Sequence, residues 1–301
     1  MDPRTPGPDL VVLGAARSGT SLLAAHLSAH PDIDASAVKE PNYFSRHYDR
    51  GPEWYEGYFA ARAPQRFRLD ASVSYTFPQF PEALGRLAAV SPSAFAVYIV
   101  RDPLQRAVSH YQYYRHYFAH EEAPDFGSAL RRDSYYADVS DYRRWLGALA
   151  DTFPREQVLV VPFPAVTRST HAVAEVVCSL VGLAPPPDPG REAQEHRNNV
   201  VAFRSDRIRR ATRTLRHSRA YPAVRRALGA TTLRRIRSAV TTVPETPTFE
   251  EALATCDARQ REALEQLSAR ASEAAREWLA EQDVRLGLDW VSDWPNGPST
   301  T

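Results

Sequence analysis

Four consecutive apolar residues, Leu10-Val-Val-Leu13, run directly into Gly14-Ala-Ala-Arg17-Ser18-Gly19-Thr20-Ser21, and then into Leu22, Leu23 and Leu27 at helical spacing. A short uninterrupted apolar run is the pattern of a strand buried on both faces, as in a parallel sheet. A glycine-bounded loop between such a strand and a helix gathers the first backbone N–H groups of the helix around one point, where they and the helix dipole favour an anion. The unit therefore constrains the chain twice. Parallel strands demand crossover helices, and the loop is either an anion cradle or a tight turn with an incidental arginine.

The same alternation continues along the chain. Phe67–Asp70, Phe95–Val100 and Gln157–Val161 read as further strands, and helices are predicted over 20–29, around 54–59, and over 81–90, 103–118, 135–153 and 170–181. Strands alternating with helices predict an α/β fold of three layers, a mostly parallel central sheet with helices on both faces, like that of P-loop NTPases. After the turn-rich Ala184-Pro-Pro-Pro-Asp-Pro-Gly190 the remainder reads as helical, apart from a break at 243–248, and ends near Trp290 and Trp294. We expect one domain over 1–301, with a core at 10–185 carrying the site and a helical, arginine-rich cover at 186–301.

Charge and cysteine content narrow the classes further. With 43% hydrophobic and 24% charged residues the chain is not a disordered one. Cys178 and Cys256 alone cannot make a disulfide framework or a zinc site. No basic-then-apolar leader is visible and no apolar run approaches the ~18 residues of a membrane span, so a cytoplasmic protein is expected. The net charge is only +1, yet Arg191–Arg237 holds 14 arginines against Glu192, Glu195 and Asp206. That segment reads as a solvated helix face, as an anion-facing lid or as a nucleic-acid surface.

The spacing from Gly14 to Gly19 equals that of a Walker A loop, but Thr20 stands where the phosphate-binding lysine would be. A nucleoside triphosphatase or P-loop kinase uses that lysine on the β- and γ-phosphates. Here the cation sits inside the loop, as Arg17. A second motif follows the strand at 95–100: Arg101-Asp102-Pro103-Leu-Gln-Arg106-Ala-Val-Ser109-His110-Tyr111. Proline is favoured in a first helical turn, so Arg101 ends the strand and Ser109 lies two turns into the helix. Donors from a strand end and the next helix can clasp one phosphate in the crevice of an open α/β sheet. Arg106 reads as structural, paired with Asp102.

In this order the two motifs resemble those of sulfotransferases that use 3′-phosphoadenosine-5′-phosphosulfate (PAPS), in the heparan-sulfate-type and bacterial branch, and the resemblance spans about residues 10–185. It extends through Lys39-Glu40-Pro41-Asn42-Tyr43-Phe44 and Tyr142-Arg-Arg-Trp145, with a weaker echo at Arg197-Asn198-Asn199. The resemblance implies that Gly14, Arg17, Ser18, Gly19, Thr20 and Ser21 hold the 5′-phosphosulfate. Arg17 would contact the sulfonate and bridging oxygens, Arg101 and Ser109 the 3′-phosphate, and Arg197 would add to the nucleotide site. It further implies Glu40 as general base toward a hydroxyl acceptor, with His47, His110 and His116 as competitors, and no required metal. Lys39, Asp70 and His47 are expected to face the acceptor. Ala71 stands where some polysaccharide enzymes carry a substrate-binding lysine, so the acceptor expected is a small molecule or a glycoside. Expectations of a bacterial source and of no nucleic-acid or membrane partner accompany this reading. Its alternatives are a P-loop kinase and a nucleic-acid binder using Arg191–Arg237.

Overall fold

The computed structural model describes residues 7–59, 67–118, 120–187, 202–203, 205–216 and 238–294, together with positions 228, 232 and 236. Five parallel strands form the central sheet: β1 (Leu10–Gly14), β2 (Ile33–Ala35), β3 (Phe67–Asp70), β4 (Phe95–Val100) and β5 (Val158–Pro162), in the order β2-β3-β1-β4-β5. Every residue of β1, β4 and β5 is buried. Their sequences are continuous apolar runs because both faces are covered.

The helices follow from the strand order. The chain moves one way across the sheet from β1 through α1 (Thr20–Leu27) to β2. It moves the other way through α2 (Tyr43–Arg46) and α3 (Pro52–Glu56) to β3, through α4 (Ala83–Val90) to β4, and on to β5. Right-handed crossovers in opposite directions put α1 on one face and the helices of the later crossovers on the other. Between β4 and β5 stand α5 (Pro103–Tyr113), α6 (Phe126–Arg132), α7 (Tyr135–Asp138) and α8 (Tyr142–Thr152), and after β5 come α9 (Phe163–Arg168) and α10 (Thr170–Leu180). The packing agrees, since α1 meets α10 whereas α2 and α8 both meet α4. β1 has β3 on one side and β4 on the other, so the chain departs in both directions at its carboxyl end, the place where such sheets bind ligands.

The structure departs from the sequence reading in three places. The single helix expected over 135–153 is two, because Ser140 turns inward to the Pro103 carbonyl and Asp141 caps α8. The helix expected over 103–118 is α-helical only to Tyr113 and continues as a π-helical turn over 114–118. The region after 190, expected to be helical, contributes a two-stranded antiparallel sheet of β6 (Ala202–Phe203) and β7 (Thr241–Thr242), with Phe203 against the Tyr117 ring at 5.2 Å. Between these strands lies α11 (Asp206–Arg216).

The C-terminal part adds α12 (Phe249–Ala254) and the 29-residue α13 (Ala258–Leu286), each opened by a capping box, with Gly287 closing α13 in the left-handed conformation. α13 lies against α5, α8 and the edge strand β5. Gln282, 1% exposed, accepts from the Val160 N–H and donates to the Val160 C=O, each at 2.8 Å, which closes the outer rim of β5 at that residue. Gln282→Ala leaves two buried main-chain groups unpaired at about 1–3 kcal/mol each. Urea unfolding is expected to show a loss of about 2–5 kcal/mol; a loss below about 1 kcal/mol would mean that the rim is held by something else.

Candidate active site

The loop after β1 is shaped by crowding. The β1–β4 register shifts between Val12 and Gly14, and Thr76 Oγ1 donates to the Leu13 carbonyl at 3.0 Å. A Cβ on Gly14 would lie 2.6 Å from the Tyr98 ring and 2.9 Å from Thr76 Oγ1, so only glycine fits. Gly19 then turns with φ 86°, a conformation glycine adopts without a steric penalty, and α1 begins. The N–H groups of Gly19, Thr20 and Ser21 find no acceptor among the described residues. Ser18 is fully buried and its hydroxyl has no partner among the described residues. A buried hydroxyl and three unpaired amides around one helix start fit the oxygens of an anion.

The strand-end motif meets this loop. Asp102 caps α5 by accepting from Leu104 N and Gln105 N, and Pro103 fills the first helical position. Arg101 donates from Nη1 to the Arg17 carbonyl at 3.1 Å and lies over the Phe163 ring at 4.7 Å, while its buried Nε has no partner among the described residues. The Tyr142 hydroxyl grips Arg101 from behind, accepting from its N–H and donating to its C=O. Arg17, itself at φ 71°, donates from Nε to Ser109 Oγ at 3.2 Å and lies 4.3 Å from the Tyr113 ring centre. Arg17 thus meets both Ser109, through its side chain, and Arg101, through its carbonyl. Burial pulls the Arg17 guanidinium down to about 10, with Arg101 and Arg106 adding to the effect against Tyr113 and Glu40, so it remains charged at neutral pH.

Arg106 is structural, but its expected pairing with Asp102 gives way to other partners because Asp102 is turned toward the helix amides. Fully buried, Arg106 reaches Ser140 Oγ, the Ala16 and Tyr136 carbonyls and His110 Nδ1.

Glu40 lies five residues beyond β2, in a loop that brings it near Arg17. Its Oε1 accepts from Lys39 Nζ at 2.6 Å, and Oε2 has no partner among the described residues. Both side chains are about a third exposed, at 35% and 31%. Asp70 sits elsewhere than expected. It does not face an acceptor: it is fully buried, accepting from the hydroxyls of Ser72, Tyr55 and Tyr75 at 2.6–2.8 Å. Burial raises its pKa against those three hydrogen bonds, and Glu40 raises it further.

Among the histidines, His110 is buried, and burial with the nearby Arg106 and Arg17 holds its pKa well below the usual value, so it is a poor proton acceptor. His47 packs against Trp54 at 5.0 Å, and His116 lies on the π-helical turn with its pKa lowered by burial and Arg115. Arg197 lies outside the described residues, as does much of 191–237. Sequence reasoning missed Tyr113, Tyr142 and Phe163, the aromatic groups that hold the two arginines. Tyr142 was visible as a motif residue, but its grip on Arg101 spans 41 positions and no spacing announces it.

Comparison with known proteins decides the family. The sulfotransferase domain matches residues 7–218. This chain belongs to the sulfotransferase family. It is 35% identical over 104 residues to mouse heparan sulfate glucosamine 3-O-sulfotransferase 6, a match covering 35% of this chain and 30% of that protein. It is 27% identical over 179 residues to the membrane-associated sulfotransferase kil1 of Dictyostelium discoideum, covering 52% of this chain and 38% of that one. These matches therefore span less than two fifths of either relative. The crystal structure of a sulfotransferase from Alicyclobacillus acidocaldarius shares the fold, with a TM-score of 0.55 at 23% identity over 76% of this chain and 99% of that one. The P-loop kinase alternative falls with this assignment.

The loop yields a prediction of its own. Gly14→Ala forces the Tyr98 ring or the strand aside and is expected to cost about 1–3 kcal/mol in urea unfolding. An unchanged midpoint would mean that Gly14 is not confined by this contact.

Proposed function

We propose that this sulfotransferase moves the sulfonate of PAPS to a hydroxyl of a small-molecule or glycoside acceptor, with Glu40 as general base. What carries the proposal is Arg17 meeting both Ser109 and Arg101 at the carboxyl ends of β1 and β4, beside a carboxylate that is about a third exposed. The residues present suit such a donor: the unpaired amides at 19–21 and the orphaned Ser18 hydroxyl match a 5′-phosphosulfate, and Arg101 with its unpaired Nε matches a 3′-phosphate. PAPS supplies a sulfonate already joined to a good phosphate leaving group.

The chain's own residues supply the rest. Glu40 Oε2 takes the proton of the acceptor hydroxyl as its oxygen bonds to sulfur, while Lys39 retains Oε1. Arg17, charged and desolvated, stabilises the negative charge that gathers on the departing phosphate side. Ala71, only 4% exposed, offers no cation to a polyanionic acceptor, which supports the smaller acceptor class.

Two measurements test the reading. If Arg101 and Ser109 hold the 3′-phosphate, calorimetry should find 3′-phosphoadenosine-5′-phosphate bound far more tightly than AMP. Losing a charged partner in a desolvated site costs about 2–5 kcal/mol, tens- to thousands-fold in Kd. Arg101→Ala should erase most of that preference, and equal affinities in the wild type would remove the donor assignment. Glu40→Gln keeps the side-chain size and removes the proton acceptor, so turnover should drop about 10²–10⁴-fold with product-nucleotide affinity little changed. Near-wild-type turnover would transfer the role to His47.

A further inference from the structure

A chain of side-chain hydrogen bonds leads from the core to the backbone of Glu40. Asp70 Oδ1 accepts from Ser72 Oγ at 2.6 Å, and Ser72 Oγ accepts from the Asn42 N–H at 3.1 Å. The Asn42 side chain then works in two directions. Its Nδ2 donates to the Glu40 carbonyl at 2.8 Å, and its Oδ1 accepts from Ser74 Oγ at 2.5 Å. Ser74 Oγ also meets Ser45 Oγ at 2.6 Å, which ties in the first turn of α2. The far oxygen of Asp70, Oδ2, is held by Tyr55 and Tyr75, and Tyr55 stacks on Tyr43 at 4.6 Å.

The backbone that this chain holds is strained. Glu40 has φ 63°, a left-handed value that costs such a residue about 1–2 kcal/mol, and Asn42 has φ 54°, which asparagine tolerates more readily. Such conformations persist where the surroundings over-determine them. The determinants here are the hydrogen bonds just named, and they end on a carboxylate sealed from water.

We infer that Asp70, acting through Ser72 and Asn42, is a positioning residue that fixes the carboxylate of Glu40 for proton transfer. The inference rests on the reading of Glu40 as general base. Asp70 touches no part of the acceptor. It sets the loop, the loop sets Glu40, and a shift of about 1 Å at a reacting group can lower turnover about 10²-fold.

The test is a double-mutant cycle between this chain and Glu40, read in kcat and in the affinity for 3′-phosphoadenosine-5′-phosphate. Asn42→Gly is the lead variant, because glycine adopts φ 54° readily and only the two side-chain contacts are lost. It should lower kcat about 10–100-fold while product-nucleotide affinity stays within two-fold. With Glu40→Gln already present, the same change should cost less than about two-fold, since there is no longer a base to misplace. Asp70→Asn should behave alike. Should it fail to fold, Ser72→Ala replaces it. Equal losses in the two backgrounds, or wild-type kcat in Asn42→Gly, would overturn the positioning role and leave Glu40 as base. Wild-type turnover in Glu40→Gln alone would end the base reading first, and this inference with it.

Discussion

Arg106 carries a positive charge into a place that water does not reach, and no carboxylate answers it among the described residues. Moving such a charge out of water costs several kcal/mol after relaxation. Its return comes from hydrogen bonds to a charged donor, each worth about 1.5–3 kcal/mol: two carbonyls, a hydroxyl and an imidazole nitrogen. The Ala16 carbonyl belongs to the anion loop, the Tyr136 carbonyl and Ser140 to α7 and its end, and His110 to α5 itself. One side chain thereby joins the loop after β1 to the helices after β4. The geometry of the candidate site depends on that joint. Burial, reinforced by the nearby guanidinium charges of Arg106 and Arg17, holds the His110 pKa well below its usual value, so the ring serves as a hydrogen-bond acceptor in the joint.

The site is built with more cation than anion, and aromatic rings make that tolerable. Arg17 lies over Tyr113, Arg101 over Phe163, and Tyr113 stacks in turn on Tyr117 at 5.0 Å. A ring face attracts a guanidinium by about 0.5–2 kcal/mol without neutralising it. A carboxylate in the same position would hold the arginine more firmly and cancel the charge intended for a ligand. Stacking thus orients the two arginines without neutralising them.

Much of the frame was legible because it is local. Leu10–Leu13, Phe95–Val100 and 157–161 are strands whose buried runs declare themselves, and Pro103 behind Asp102 announces the start of α5. The loop and strand-end motifs were legible for the same reason, as contiguous spacings. What stayed hidden was long-range. Asp70 was expected to face the acceptor, and only the approach of Tyr55 and Tyr75 makes it a buried hydrogen-bond acceptor instead. Arg106 and Asp102 are four positions apart on a helix, a spacing that suggests a pair. The capping demand of the first turn claims Asp102 instead. Ser140 broke the expected 135–153 helix for a reason that lies 37 positions upstream, in the Pro103 carbonyl.

Three residues other than glycine take a left-handed backbone among the described residues: Arg17, Glu40 and Asn42. All three stand in the two loops of the site, and two of them carry its charge. A glycine at any of them would relax the main chain. A search for thermostable variants that ignores activity would therefore be drawn to the very positions that the proposed mechanism uses. Heat tolerance gained there would come from erasing the cation and the carboxylate. On the proposed mechanism, a route to a hardier fold is here also a route to an inert one.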